Sequence, residues 1–418
     1  MLDENGLTNE PEQLLKEKLE NQKKRRTNNN KFSYYLIAIY FGLYNISELA
    51  VSFYLKDEIK LEPAVLTQIM SLVMVPWMVK PFLGLLTDLL PIFGYRRKYY
   101  LLICGMLVIT CWLVMAAGVT KLTNIILLLF LINTGVSFST VIGEAIVVEL
   151  SQKEQHYNSD EKQNSAKDNV SVFMLFKYSG YLTSSYLKGL LVEVLSIRGV
   201  FMIVAFLPIL LLISSYILVD KRVVKYGEIQ SNYEYNESRE ETIKSPDSSK
   251  LLSEFFKFMC KRYVLVPSLF ILFVLSLPAY DTPYFYFLTN VLNFSPSTLG
   301  KISFGSTLAT LISIILYKLY FKNVKFKLMI ALGTILTFIF TILANILVLR
   351  INIRYGISDF WLVMFSSSFI SMLGELMLMP MLSLAAELCP KNLEGTVYSL
   401  FMSTINLGSI SANLFGSI

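Results

Sequence analysis

Histidine is nearly absent from this sequence. The single one, His156, lies in a polar stretch, so any proton handled deep in the protein must be handled by carboxylates. Cysteine is almost as scarce. Cys104, Cys111, Cys260 and Cys389 fall in or beside apolar runs at spacings that fit neither a disulfide framework nor a metal site, and they read as buried thiols. Charge is thin, at 16% of residues against about 25% in soluble domains. A glycine-rich nucleotide loop, a metal-ligand cluster and a nucleophile elbow are all missing. Their absence excludes a primary pump and a hydrolase, and no enzymatic activity, cofactor or metal is expected. No apolar core with a cleavage site precedes the first polar segment, so no secretory signal peptide is expected. The net charge of +6 concentrates in loops, which is a mark of topology, and no nucleic-acid partner is expected.

What the sequence does have is long apolar runs: 54% of residues are hydrophobic and the mean hydropathy is +0.54. About 20 apolar residues suffice for a helix to cross the hydrocarbon of a bilayer. Eleven such stretches follow one another, near 32–54, 65–86, 99–118, 122–150, 170–195, 200–219, 263–288, 296–321, 326–349, 359–388 and 395–418. Backbone groups in lipid must be satisfied within the segment, and the alternation of barrel strands is absent, so the stretches are helices. The fold class is therefore an all-α polytopic membrane protein embedded in a lipid bilayer.

Polar segments divide the chain. Residues 1–31 read as a disordered cytosolic tail that could hold a short surface helix, and residues 220–256 read as a flexible cytosolic linker. Between and after them lie a six-helix bundle (32–219) and a second bundle (257–418). Basic residues crowd alternate loops, at Arg96/Arg97/Lys98, Lys153/Lys162/Lys167, Lys221/Arg222/Lys225 and Lys318/Lys322/Lys325/Lys327, which places the N-terminus in the cytosol. A plasma membrane is the default location and an organelle membrane the alternative. Two bundles joined by a long linker match the pseudo-symmetric plan of twelve-helix transporters. The sequence shows eleven spans and stops at Ile418 inside an apolar run, so a twelfth helix missing from it is expected.

An ionisable side chain at membrane depth costs several kcal/mol and is a functional candidate by default. Glu48, Glu144, Lys177, Asp281 and Glu375 lie deepest; Lys80, Glu149 and Glu387 lie nearer the cytosolic ends, where interfacial or helix-locking charge explains them. In the fifth span Lys177, Tyr181, Ser184 and Lys188 are spaced to share one helical face, a polar stripe with two cationic ends. Such a stripe suits an anionic substrate; alternatively each lysine pairs with an acid on another helix and only holds the bundle. Tyr44 and Glu48 stack at i, i+4 in the first span. In the seventh, Pro278, Asp281 and Pro283 interrupt the helix beside Tyr284, as in the broken helices around which transporters build sites. Glu48, Glu144, Asp281 and Glu375 are the proton-coupling candidates. Substrate-contact candidates are Tyr44, Glu48, Glu144, Lys177, Tyr181, Lys188, Asp281 and Tyr284.

The stretch KPFLGLLTDLLPIFGYRRKYY (80–100) joins the second and third spans. Lys80, Asp88, Arg96 and Arg97 in it are read as a gate that locks helices at the cytosolic face, with Asp88 able to accept from a neighbouring helix N-terminus. That stretch looks like an extended form of the loop that follows the second helix of major facilitator transporters. Together with FYLKD (53–57), EAIVVE (144–149), FYFLTNVLNFSPSTLG (285–300) and AAELCPKNLEGTVYSLFMSTINLGS (385–409), it resembles the folate–biopterin transporter family of the major facilitator superfamily. The family pattern has two aspartates in the fourth span, where this chain has Thr140 and Glu144, and an arginine in the fifth, where it offers Lys177 and Lys188. The resemblance implies a major facilitator-type two-bundle fold and movement of folates, pterins or related compounds, with a proton as the coupling partner. Other organic anions or zwitterions, or a transport-inactive receptor or scaffold docking partners on its tail and linker, are the alternatives.

Overall fold

The structure, a computed structural model, describes residues 10–155, 162–220, 223–224, 243–244, 257, 260–321, 324–388 and 394–417, with fewer of their side chains. It is almost wholly helical. The first helix, α1 (Glu10–Tyr44), continues through α2 (Ile46–Phe53) into a π-helical turn at Tyr54–Glu58. Residues 10–31 are therefore not a structureless tail but the lead-in of the first span. The reason is local: EPEQLLKEKLENQKKRR is built from strong helix formers, and Pro11 sits near the start, where proline is tolerated.

The second span is broken into α3 (Pro63–Val73), α4 (Val75–Met78) and α5 (Lys80–Leu89). Each piece carries a proline in its first two positions, because Pro76 and Pro81 supply no N–H to the preceding turn. Next come α6 (Lys98–Ala116), α7 (Leu122–Gln155), α8 (Lys162–Val194), α9 (Ile197–Phe206) and α10 (Ile209–Ile217), the last two separated at Pro208. Of the linker, the described part beyond Asp220 is a two-residue parallel pairing of Val223–Val224 with Ile243–Lys244. The second half holds α11 (Arg262–Leu275), α12 (Asp281–Tyr286), α13 (Pro296–Leu316), α14 (Phe326–Val348), the short α15 (Ile351–Arg354), α16 (Asp359–Leu388) and α17 (Glu394–Gly416).

Helix, continuous or interrupted, thus covers each apolar stretch in order. Among the described residues seven helical segments, some counted across a joint such as that at Pro208, are long and apolar enough to cross a membrane. Prolines divide the second and seventh stretches, whose apolar pieces Pro63–Val73 and Val264–Leu275 are shorter. The break in the seventh runs from Ser276 to Tyr280, and the Ala279 amide there donates to the Ala412 carbonyl of α17 at 2.9 Å. One large core joins α1 to α10 around Tyr34, Tyr40, Tyr54, Trp112 and Phe201. A second joins Leu49 and Phe53 of the first half to Leu288, Leu299 and Val363 of the other, so the halves share apolar packing at one end. Of the four cysteines, Cys104 and Cys111 are buried as expected, but Cys260 is exposed, because it precedes α11 rather than lying in it.

Apolar burial drives little helix association in lipid; close backbone approach does. The helix α8 is the clearest case. Its Gly180 meets Gly42 of α1, and its Gly189 meets Gly300 of α13, so one helix is pinned to both halves. A Cβ on Gly42 would lie 2.3 Å from the Lys177 carbonyl oxygen and 2.7 Å from Gly180 Cα. Neither obstacle is a movable side chain. Gly42→Ala is therefore expected to cost roughly 1–3 kcal/mol, despite the better helix propensity of alanine. Gly374→Ala, where a Cβ meets nothing within 4 Å, is expected to be neutral or stabilising. Thermal unfolding of the two purified variants checks this: equal melting temperatures would refute the close crossing of α1 and α8.

Candidate functional site

The breaks, the glycine crossings and the polar stripe meet in one region. The break between α4 and α5 delivers Lys80 into the interior, where only 3% of its side chain is exposed. Its Nζ lies 3.4 Å from Glu144 Oε1 of α7 and 4.9 Å from the centre of the Trp77 ring. Trp77 is itself held: its indole N–H donates to Asn133 Oδ1 at 3.0 Å, and its backbone carbonyl accepts from Asn406 Nδ2 of α17, also at 3.0 Å. That last bond is a tie between the halves at the helix break.

On α8, Lys177 faces α1. Its Nζ sits 4.5 Å above the Phe41 ring and 5.9 Å from the Tyr181 ring, a cation–π clamp. Among the described residues no carboxylate lies within ion-pair distance of it; Glu144, Lys80 and Glu375 act on it from further off. Glu375 of α16 accepts from the Tyr178 hydroxyl at 3.4 Å, a second tie between the halves. Lys188, three turns along the same face, is engaged differently: its Nζ pairs with Glu48 Oε2 at 2.8 Å. The Glu48 side chain is 57% exposed, so that pair borders open space. Asp281, in the first turn of α12, lies within electrostatic reach of Glu48. Two buried hydroxyls, Tyr40 Oη and Tyr284 Oη, have no hydrogen-bond partner among the described residues.

The lysine stripe expected on α8 is thus present. Its two ends differ: Lys188 holds a carboxylate on α2, whereas Lys177 is held by aromatic faces. Tyr44 packs at 6.4 Å from Tyr40 and joins the first-half core. Tyr284 stacks on Phe287 at 6.3 Å within the packing shared by the halves.

The model of the BT1 family matches residues 42–418. The chain belongs to the BT1 family. Among its relatives, the folate-biopterin transporter of Synechocystis sp. is 32% identical over 385 residues, which is 92% of this chain and 73% of that protein. Folate transporter 1 of Plasmodium falciparum is 33% identical over 392 residues, 93% of this chain and 72% of that one. In fold the chain is similar to the nucleoside transporter NupG, with a TM-score of 0.62 at 13% identity, covering 93% of this chain and 89% of that one. It is similar also to a D-xylose-proton symporter, with a TM-score of 0.63 at 12% identity and coverage of 93% and 89%. This BT1 chain is thus a multi-pass integral membrane protein of the major facilitator-type two-bundle fold.

The gate grouping of this BT1 chain needs one revision. Lys80 does not sit with the loop that follows; the helix break turns it inward to Glu144. The Asp88 side chain lies outside the described ones, as do those of Glu149 and Glu387. At this end of the first half, a described carboxylate that receives a helix N-terminus is Asp220, as Glu193 does for the Ser297 amide of α13. Asp220 accepts from the Arg97 amide at 2.7 Å and the Lys98 amide at 3.2 Å, capping α6 from the end of the first half. The loop itself turns tightly at Phe93 and Gly94, both with positive φ, and Ile92 and Tyr95 exchange both backbone hydrogen bonds across it. Arg96 and Arg97 leave that turn with their Nε atoms buried.

Sequence reading missed Trp77, Asn133, Phe41, Tyr178 and Asn406. Trp77 was within reach, since it stands at i−3 from Lys80 beside Pro76. Asn133 and Asn406 gave no signal, because an asparagine inside an apolar run does not reveal which helix it meets.

Proposed function

We propose that this BT1 protein is a secondary transporter that moves a folate, a pterin or a chemically related compound by alternating access, in symport with protons. The observation that carries the reading is the charge group Lys80–Glu144–Lys177–Glu375, buried at Lys80 and half-buried at the others, drawn from both halves and tied across them by Tyr178 and Asn406. Buried ions at such a junction are costly and are kept where they bind a substrate or relay a proton. The names of the Synechocystis and Plasmodium relatives supply the substrate class. In this reading Lys177 receives an anionic group of the substrate. Tyr44, Tyr181 and Tyr284 contribute aromatic contact, and Lys188 with Glu48 and Asp281 guards the entrance.

The proton is carried by a carboxylate. Glu48 and Glu144 lead because each faces a lysine: protonation cancels the attraction and frees the lysine to move, which couples charge to conformation. The N-terminus and the loop with Arg96 and Arg97 lie on the cytosolic side, and Asp88, Arg96 and Arg97 hold helices together there. The chain divides into a cytosolic N-terminal tail 1–31, a first bundle 32–219, a cytosolic linker 220–256 and a second bundle 257–418.

Uptake of labelled folate into proteoliposomes, with and without an inward proton gradient, tests the proposal. Gradient-stimulated accumulation is expected. Glu48→Gln or Glu144→Gln, whichever removes the true site, is expected to abolish the dependence on pH while leaving exchange of bound substrate intact. Unchanged pH dependence in both variants would shift the role to Asp281 or Glu375. Absence of folate and pterin uptake, with uptake of another organic anion, would overturn the substrate class. No transport at all would favour a receptor or scaffold.

A further inference from the structure

Outside the central charge group, the end of the first half that carries the Phe93–Gly94 turn holds a groove of about 930 Å³. Asn28, Lys31, Tyr35, Tyr95, Lys98 and Tyr216 are among its lining residues. The helices that wall it are locked to one another. The Ser33 and Ser214 hydroxyls meet at 2.6 Å, one donating to the other, and each lies 3.0 Å from the other residue's backbone carbonyl. Asn30 exchanges two hydrogen bonds with the Val219 backbone. The groove is thus a formed feature of the fold.

Its chemistry has two parts. One wall is cationic: Lys31 and Lys98 line it, and Arg25 and Arg26 stand exposed about one turn further out on α1. Among its described lining residues the carboxylate is Asp220, which accepts from the Arg97 and Lys98 amides. The other part is apolar and faces outward. On α6, Lys98, Leu102 and Met106 follow at spacings of four, one above the other on one face. On α10, Tyr216, Ile213 and Ile209 follow at spacings of three and four. Leu102, Met106, Ile209 and Ile213 are exposed, and Tyr216 is 84% exposed. The two helices pack side by side. A polar, cationic pocket therefore sits at the head of two apolar stripes that run away from it along the outer surface of the bundle.

We propose that this groove binds an anionic phospholipid, with its phosphate headgroup between Lys31 and Lys98 and its acyl chains along the Leu102–Met106 and Ile209–Ile213 stripes. A free phosphate or a soluble anion would use the cationic wall alone, whereas a phospholipid reaches both the wall and the stripes beside it. A basic pocket between helix ends at the headgroup level is where such lipids are held. The site is separate from the Lys80–Glu144–Lys177 group and does not depend on what the protein transports.

Native mass spectrometry of the detergent-purified full chain tests it, with dioleoyl phosphatidylglycerol and dioleoyl phosphatidylcholine as probes of equal acyl chains. Preferential retention of phosphatidylglycerol is expected. Lys31→Gln with Lys98→Gln is expected to weaken it roughly thirtyfold, and Lys31→Arg with Lys98→Arg to preserve it. Lys325→Gln with Lys327→Gln, which removes equal charge from exposed positions of the second half, is expected to change nothing. Tyr216→Ala probes the same groove without touching the bonds that lock the helix ends, and a several-fold loss is expected from it. Equal retention by wild type, the Gln pair and Tyr216→Ala would overturn the proposal. So would an equal loss from the Lys325/Lys327 pair, or displacement of the lipid by inorganic phosphate, which would make the ligand a free anion.

Discussion

Replacing Lys80 by methionine is expected to lower the melting temperature sharply and abolish uptake, and adding Glu144→Gln is expected to restore the first but not the second. The ammonium is almost wholly enclosed, 3.4 Å from Glu144 and over the Trp77 ring. Removing one member of a buried pair leaves the other charged without its partner, which costs about 3–5 kcal/mol, whereas replacing both by uncharged groups of similar shape is often neutral. The loss should fall toward the lower end of that range, because Lys177 still acts on Glu144 from a distance. Transport follows a different rule. If the pair is part of the moving charge group, two neutral residues pack as well but cannot exchange partners. The double variant should then melt like the wild type and fail to accumulate substrate. Thermal melts and proteoliposome uptake on the four proteins of the cycle decide it. Recovery of uptake in the double variant would reduce Lys80–Glu144 to a structural bond. A double variant as unstable as the sum of the singles would show that the two side chains are not coupled.

The parts of this architecture legible in the sequence are those with a local cause. Apolar length locates each helical stretch, and the break expected at Pro278 follows from a missing N–H and a fixed φ; those at Pro76 and Pro81 have the same cause but interrupt a span that reads as continuous in the sequence. The shared face of Lys177 and Lys188 follows from the helical repeat alone. What each lysine meets does not. Lys188 finds Glu48 and Lys177 finds Phe41 because Gly42 and Gly180 let α1 and α8 approach closely, and that crossing depends on two residues 138 positions apart (180 − 42). Lys80 shows the opposite failure. Its place near the end of an apolar run suggested an interfacial charge, but three helix segments in one span re-aim its side chain inward. Among the described residues Asp220 caps the start of α6, brought there by the return of α10, a contact that no local pattern announces; the Asp88 side chain lies outside the described ones.

Lys177→Met is expected to weaken folate binding roughly ten- to a hundredfold while affecting a neutral pterin far less. The prediction rests on the substrate class proposed above and on the different surroundings of the two stripe lysines. Lys188 is committed to Glu48 at 2.8 Å, so its charge already has a partner. Lys177 is steadied by the Phe41 and Tyr181 faces, which attract a cation but accept no conventional hydrogen bond. Among the described residues no carboxylate pairs with it, so its N–H donors suit a substrate carboxylate. A charge-assisted hydrogen bond in a desolvated site is worth about 1.5–3 kcal/mol, which converts to the stated range. A pterin without carboxylates makes no such bond and should lose little. Methionine keeps an unbranched chain of similar reach, so the Phe41–Tyr181 packing survives and stability should fall only modestly. A purely structural lysine predicts a different pair of results, equal weakening of both ligands together with a lower melting temperature. Competition binding of folate and a neutral pterin to the purified variant separates the two, and equal weakening would remove Lys177 from the substrate's carboxylate.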